Sequence, residues 1–209
     1  MKTLLLLCFF VSVCCLPSAS ACEYPRFRVA CVGDSLTTGN YPQVLQKLLG
    51  DDFEVRVYAR KNRTVSSAQN ELLFHALKYW NPTHVVFYAG INDCLMPGKS
   101  VRNSSWVIGQ LEQTIVQIQD KGVQAVIVKH HPWDGFVKSG YKCSLAVNKW
   151  LDQEYLNYDP ATIVETSSLG YPNQNRSNEL YEKYDAGDHL HLNYEGDKLL
   201  AQLVAGVIQ

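Results

Sequence analysis

The sequence lacks a surplus of charge of either sign. Its 209 residues carry 19 Lys and Arg against 20 Asp and Glu, a formal net charge of -1. This balance gives no electrostatic reason to expect a nucleic acid or an anionic membrane as partner. Long apolar runs are also missing. The longest, Leu4 to Leu16, is shorter than the span of about 20 apolar residues a transmembrane helix needs, so no stable membrane insertion is expected. Cysteine is sparse beyond that run: Cys22, Cys31, Cys94 and Cys143, none at metal-ligand spacing. We therefore expect neither a metal nor another cofactor. Linkers, low-complexity stretches and internal repeats are absent after residue 21. With 46% hydrophobic residues, the remainder, 22–209, is expected to fold as one domain and to act as a monomer.

The amino-terminal run has the anatomy of an export signal. Lys2 supplies a positive charge, Leu4 to Leu16 an apolar stretch, and Ala19-Ser20-Ala21 a small-residue cleavage site. Residues 1–21 are read as a signal peptide and the mature chain as secreted. An alternative takes Cys22 as the lipidated first residue of a bacterial lipoprotein, although Ala19 stands where Leu is usual. Export agrees with three N-glycosylation triplets, at Asn62, Asn103 and Asn175. It also agrees with a disulfide, for which we favour Cys94 with Cys143, both in predicted loops. Cys31 lies in an apolar run and is read as a buried thiol.

From there the chain alternates short β-rich runs with helical ones. Strands are expected at 27–32, 53–58, 84–89, 123–129 and 161–165. Helices are expected at 41–49, 71–80, 105–120, 144–157 and 194–208. This alternation predicts an α/β fold: a three-layer α/β/α sandwich around a five-stranded parallel sheet. Ligands of such sheets bind at the carboxyl ends of the strands. Three motifs fall at that rim. Gly33-Asp34-Ser35 follows the first strand, Gly90-Ile91-Asn92-Asp93 follows the third, and Asp188-His189-Leu190-His191 precedes the last helix.

Each motif has a bland reading as well as a chemical one. Ser35 on a strand-to-helix turn is either a capping residue or a nucleophile awaiting a base. Asp188, three residues before His191, can accept the imidazole Nδ1–H and leave Nε2 facing a serine. His189 has the wrong spacing for that geometry. Asn92 is a turn residue or a side-chain donor to a developing oxyanion. Asp93 is read as ordering its own loop. His130-His131-Pro132-Trp133 follows the fourth strand. Trp133 is placed as a substrate-binding residue, with core packing the alternative, and the His pair is not read as a metal site. The long segment from Gly170 to Gly187, with Tyr171, Tyr181 and Tyr184, is of a length often used for lids or binding loops.

Taken together the three motifs resemble the SGNH hydrolases, also called the GDSL esterase/lipase family. Val32 to Gly39 resembles the family's first block, Gly90 to Asp93 its third, and Asp188 to Gly196 its last. The resemblance implies a flavodoxin-like sheet and metal-free hydrolysis of esters or thioesters. It makes Ser35 the nucleophile, His191 the base and Asp188 its orienter. It gives the oxyanion to the Ser35 N–H and the Asn92 side chain. The second block departs from the pattern. The family usually reads Asn-x-Gly-x-x-Gly-x-Thr, whereas residues 57–64 keep only Thr64. Asn62 stands where the second Gly would donate its N–H to the oxyanion. Asn tolerates positive φ better than most residues, so this third donor is retained in the expected oxyanion hole. Arg60, Lys61 and Arg63 are read as a solvated basic loop, with an attraction for acidic substrates as the alternative.

The expectation is thus a secreted serine esterase of short acyl groups, O-acetyl groups on carbohydrate included. Its substrate would be a small-molecule or carbohydrate ester. The rivals are a lysophospholipase or thioesterase of the same family, and a hydrolase-like binding protein of low turnover because its second block is altered.

Overall fold

The structure, a computed structural model, describes residues 25–95, 103–133, 138–153, 161–173 and 176–209. The expected signal peptide, Cys22 and the glycosylation triplet at Asn175 lie outside or partly outside the described residues.

Five strands, β1 (Phe27–Gly33), β2 (Phe53–Ala59), β3 (His84–Tyr88), β4 (Gln124–Val128) and β5 (Thr162–Val164), form one sheet in the order β2-β1-β3-β4-β5. Every pair is parallel. Among the described residues six α-helices flank it: α1 (Tyr41–Leu49), α2 (Val65–Glu71), α3 (Ile91–Leu95), α4 (Ser104–Gln119), α5 (Lys138–Gln153) and α6 (Tyr194–Ile208). Alternate side chains of a strand face opposite layers. Val29 and Cys31 of β1 and Val86 and Tyr88 of β3 pack with α1 and α6. Ala30, Val32, Val85 and Phe87 pack with α2, α4 and α5. β3 is buried along its whole length, as an apolar central strand in a parallel sheet must be. The expected three-layer α/β fold is what forms.

From β1 the chain winds out to β2 in one direction, and from β3 through β5 in the other. The reversal lies between β1 and β3, and a crevice opens there at their carboxyl ends. β1 ends on a glycine that admits no larger side chain, and two residues after β3 stands a glycine whose backbone suits few other residues. A Cβ on Gly33 would stand 2.1 Å from the Tyr88 carbonyl oxygen, and Gly90 has φ +118°.

Boundaries differ from expectation where capping decides them. α2 begins at Val65, six residues before the expected Glu71. Thr64 caps it and forms a reciprocal box with Ser67. The helix then widens into π-helical turns over Leu72–Trp80. Its buried residues there, Leu72, Ala76 and Trp80, recur at every fourth position, which a wider turn keeps closer to one line than a 3.6-residue turn does. Cys94 and Cys143 are disulfide-bonded, but they sit on α3 and α5 rather than in loops. Cys31 is a buried free thiol, and burial pushes its pKa up to about 12. Among the described residues no helix is long and apolar enough to cross a membrane.

Candidate active site

The crevice gathers side chains from three separate turns. Ser35 stands on the turn between β1 and α1. The turn is fixed by Asp34, whose Oδ1 accepts the Leu36 N–H at 3.0 Å, and by Thr37, whose hydroxyl donates to the Tyr88 carbonyl at 3.1 Å. Asp34 is wholly buried, and its Oδ2 has no donor among the described residues. Burial first, then the field of Asp93, pushes its carboxyl up to about 7.

His191 reaches Ser35 from the turn before α6. Its Nε2 lies 2.9 Å from Ser35 Oγ, and its Nδ1 lies 2.6 Å from Asp188 Oδ2. Asp188 also accepts the His191 N–H at 2.7 Å and the Leu190 N–H at 3.1 Å through Oδ1. Burial tends to raise the Asp188 pKa, but the His191 and Leu190 donors outweigh it and hold the carboxyl below its ordinary value. It is therefore charged at neutral pH, which keeps the Nδ1–H tautomer and leaves Nε2 as the acceptor for the serine proton. The sequence-expected trio comes together at hydrogen-bond distance across 156 residues of chain.

His189 does not join them. It takes a positive φ of 61° and places Nδ1 3.2 Å from Asp185 Oδ2. Asp185 is the organiser of this turn, and sequence reasoning missed it. Its Oδ1 accepts the N–H groups of Gly187 at 2.8 Å, Asp188 at 3.2 Å and His189 at 3.0 Å. The signal was present in Asp185-Ala186-Gly187-Asp188, an Asx turn followed by a glycine.

The opposite side of the crevice, where the sequence leads us to expect the oxyanion hole, is built by the departing second block. Asn62 adopts φ 63°, the left-handed conformation expected from its place in the motif. The loop that carries it is pinned at both ends. The Arg60 N–H donates to the Gly33 carbonyl at 3.4 Å, and Asn92 Nδ2 donates to the Arg63 carbonyl at 2.9 Å. Asp93 Oδ2 accepts the Val65 N–H at 2.8 Å. Asp93 thus also fixes the start of α2, a segment beyond its own turn. One Asn92 N–H is used on the loop, and an amide has a second. Among the described residues, no acceptor within the protein takes the N–H of Ser35 or of Asn62.

Ser35, Asn62, Asn92, Asp188 and His191, with Lys61 and Leu190, line a cleft of ≈ 430 Å³. Trp133 does not. It is 0% exposed, stands edge-on to Tyr141 and donates Nε1–H to Ser144 Oγ at 3.3 Å. Its expected role in substrate binding is corrected to core packing: its place in the chain lies near the rim, but its ring turns inward into the layer of α1 and α6.

The adjacent histidines are buried as well. His130 pairs Nδ1 with Ser144 Oγ at 2.7 Å and directs Nε2 at the Ala89 carbonyl at 3.3 Å. His131 bonds the Tyr88 hydroxyl through Nδ1 and the Leu190 carbonyl through Nε2 at 2.8 Å. Burial pushes both down to about 4, so both are neutral. All four ring nitrogens have protein partners, and none points at the cleft. His131 nonetheless bears on the site, because Leu190 lies between Asp188 and His191. The tyrosines of the 170–187 segment pack against one another, Tyr171 and Tyr181 tilted with ring centroids 4.9 Å apart and Tyr181 and Tyr184 edge-to-face at 5.7 Å. They are not in the lining of the Ser35 cleft. A second cleft of ≈ 410 Å³ opens beyond β4, where Lys129 is held by Asp152 at 2.8 Å and Glu165 at 2.5 Å.

A sequence model of the GDSL-like Lipase/Acylhydrolase family matches residues 31–199. No curated protein matches the chain significantly. Solved structures that share its fold include a lipase/acylhydrolase from Enterococcus faecalis, with a TM-score of 0.69 at 17% identity over 87% of this chain and 95% of that one. An acetyl xylan esterase aligns with a TM-score of 0.69 at 16% identity, over 87% of this chain and 100% of that one. A GDSL-like lipase from Bacteroides thetaiotaomicron aligns with a TM-score of 0.68 at 16% identity, over 88% of each chain.

Proposed function

The chain belongs to the GDSL-like lipase/acylhydrolase family, a family of carboxylic ester hydrolases, and from that premise we propose a secreted serine esterase acting through an acyl-enzyme on Ser35. The observation that carries the proposal is the run of contacts from Ser35 Oγ to His191 Nε2 and from His191 Nδ1 to Asp188. In the first step His191 Nε2 takes the Ser35 proton as Oγ bonds to the ester carbonyl carbon. The oxyanion that forms is held by the N–H groups of Ser35 and Asn62 and by the second N–H of Asn92. Collapse breaks the bond to the alcohol oxygen, which receives the proton from His191. Water then attacks the acyl-serine, His191 takes the water's proton and returns one to Ser35, and the acid leaves.

A short acyl group, O-acetyl on carbohydrate included, is the substrate reading we favour. Among the seven residues lining the cleft only Leu190 is aliphatic, which leaves little apolar surface for a fatty chain. For the same reason a lysophospholipase is less favoured. The low-turnover alternative rested on a lost oxyanion donor, and the left-handed Asn62 argues against that loss.

One expression experiment tests the whole reading. Produced with its own first 21 residues, the protein should appear in the medium beginning at Cys22. It should hydrolyse p-nitrophenyl acetate faster than longer-chain esters, and Ser35→Ala should reduce the rate by roughly 10³-fold or more. Equal rates for parent and variant would remove Ser35 from the mechanism. A maximum at long chains would remove the short-acyl assignment.

A further inference from the structure

We infer that Arg60 and Lys61 form a subsite for an anionic group on the alcohol portion of the substrate. The inference rests on the esterase reading above and names its substrate class more closely. Lys61 lines the Ser35 cleft itself, where the other charged group, Asp188, is hydrogen-bonded to His191. The cleft continues into a second of ≈ 470 Å³ that shares Lys61 and Asn62 and adds Arg60, Arg63, Ser67 and Asn70. Within this groove the charges are unequally occupied. Arg63 is bound to Glu71 at 2.5 Å and to the Tyr58 carbonyl at 3.2 Å. Asp188, the one carboxylate in either lining, faces His191. Arg60 and Lys61 are exposed and bound to no carboxylate among the described residues.

This local excess of positive charge stands out in a chain whose net charge is -1. A cleft lined by one sign of charge concentrates ligands of the other. The backbone that carries it is also fixed. Gly33 holds Arg60, Asn92 holds Arg63, and the box at Thr64 closes the next turn. The two cations are therefore presented from a pinned loop that places Asn62 beside the reacting carbonyl. An anion one sugar ring away from the ester would lie within their reach. Because an acetyl group has no position for a charge, the anion belongs to the alcohol. Within the O-acetyl reading the substrate is an acidic saccharide rather than a neutral one.

The probes are p-acetoxybenzoate and its neutral methyl ester, with p-nitrophenyl hemisuccinate and its methyl ester as the acyl-side pair. The parent should favour p-acetoxybenzoate in kcat/KM over its neutral partner. In Lys61→Gln that preference should fall about threefold, and in the double variant Arg60→Gln/Lys61→Gln about tenfold, with the change in KM and with sensitivity to salt. An unchanged ratio in both variants overturns the inference. A preference confined to the hemisuccinate pair overturns its placement on the alcohol. The Ser35→Ala variant separates this outcome from failure of the esterase reading. Calorimetry should show that it binds p-acetoxybenzoate more tightly than the methyl ester, and that Lys61→Gln in that background removes the difference. Normal hydrolysis without preference sinks the subsite alone. Preferential binding without hydrolysis by the parent sinks the esterase reading and leaves the subsite.

Discussion

The proposed oxyanion role of Asn62 rests on one backbone angle. The oxyanion needs an N–H at a fixed place, and a glycine is the usual means of turning the chain to present it. Asn62 reaches φ 63° without glycine, in the one left-handed region that L-residues tolerate, and among non-glycine residues Asn visits it more readily than most. Asn62→Gly should therefore keep the turn and open the mouth of the cleft, and we expect p-nitrophenyl acetate kcat equal to or above that of the parent. Asn62→Val should do the reverse. A β-branched residue resists φ near +60°, so the N–H would swing away, at a cost of roughly 10²–10³ in kcat. Steady-state rates of the two variants check this. If Val and Gly behaved alike, the Asn62 N–H would not be a donor to the oxyanion. The same substitutions remove a glycosylation triplet, so the mass of the protein expressed in a glycosylating host also tells whether Asn62 carries a glycan. Ser35, Asp188 and His191 were legible in the sequence because each sits in a short motif whose spacing already limits its geometry. Trp133 was not, because whether a ring after a strand turns outward or inward depends on how the next helix packs, here on Tyr141 and Ser144 of α5.

Between elements, the disulfide makes the most pointed connection. Cys94 lies two residues after Asn92 and one after Asp93, on the short helix α3. Cys143 lies on α5, 49 residues on. Closing a loop of that length removes about 4 kcal/mol of chain entropy from the unfolded state in the loop-closure model, and native disulfides typically return about 2–5 kcal/mol. Cys94→Ala/Cys143→Ala should thus lower the unfolding free energy by about 2–4 kcal/mol in a urea titration. It should also lower kcat, since α3 holds the Asn92 that pins the Asn62 loop. A loss of stability with kcat intact would mean that α3 keeps its place without the bond. Period and composition made the sheet readable, and α1 and α6 begin and end where Pro42, Gly50 and Asn193 place them. They did not reveal α3, which at five residues is too short to show a periodicity. Nor did they reveal the early start of α2, where Val65 to Gln69 has no helical apolar stripe and the cap alone sets the boundary.

Across the whole molecule, the buried polar groups couple the fold to pH, and they do so in opposite directions. His130 and His131 are held down to about 4, whereas an unfolded His titrates near 6.5. As pH falls from about 6.5 to about 4 the unfolded chain binds protons that these folded imidazoles refuse, so stability falls with pH in that window. Asp34, pushed up to about 7 from 3.8, acts the other way: the folded carboxyl keeps a proton that the unfolded one has lost, and its contribution is lost as pH rises through 7. The net slope of the parent is then a partial cancellation and tests neither group. A difference between two proteins does. His131 touches Tyr88 on β3 and Leu190 in the His191 turn, and the charges that bear on it are His130, His191 and Asp185. In His131→Gln an amide can still donate to the Leu190 carbonyl and accept from Tyr88, but it does not titrate. The parent should exceed this variant in stability at pH 7. The gap should narrow by up to ~3 kcal/mol as the pH approaches 4, since a tenfold difference in proton affinity between the folded and unfolded chain is worth about 1.4 kcal/mol. Urea unfolding of both proteins across that range measures it. A gap that stays constant would show that His131 takes up its proton in the folded state as readily as in the unfolded one, and that burial does not lower its proton affinity.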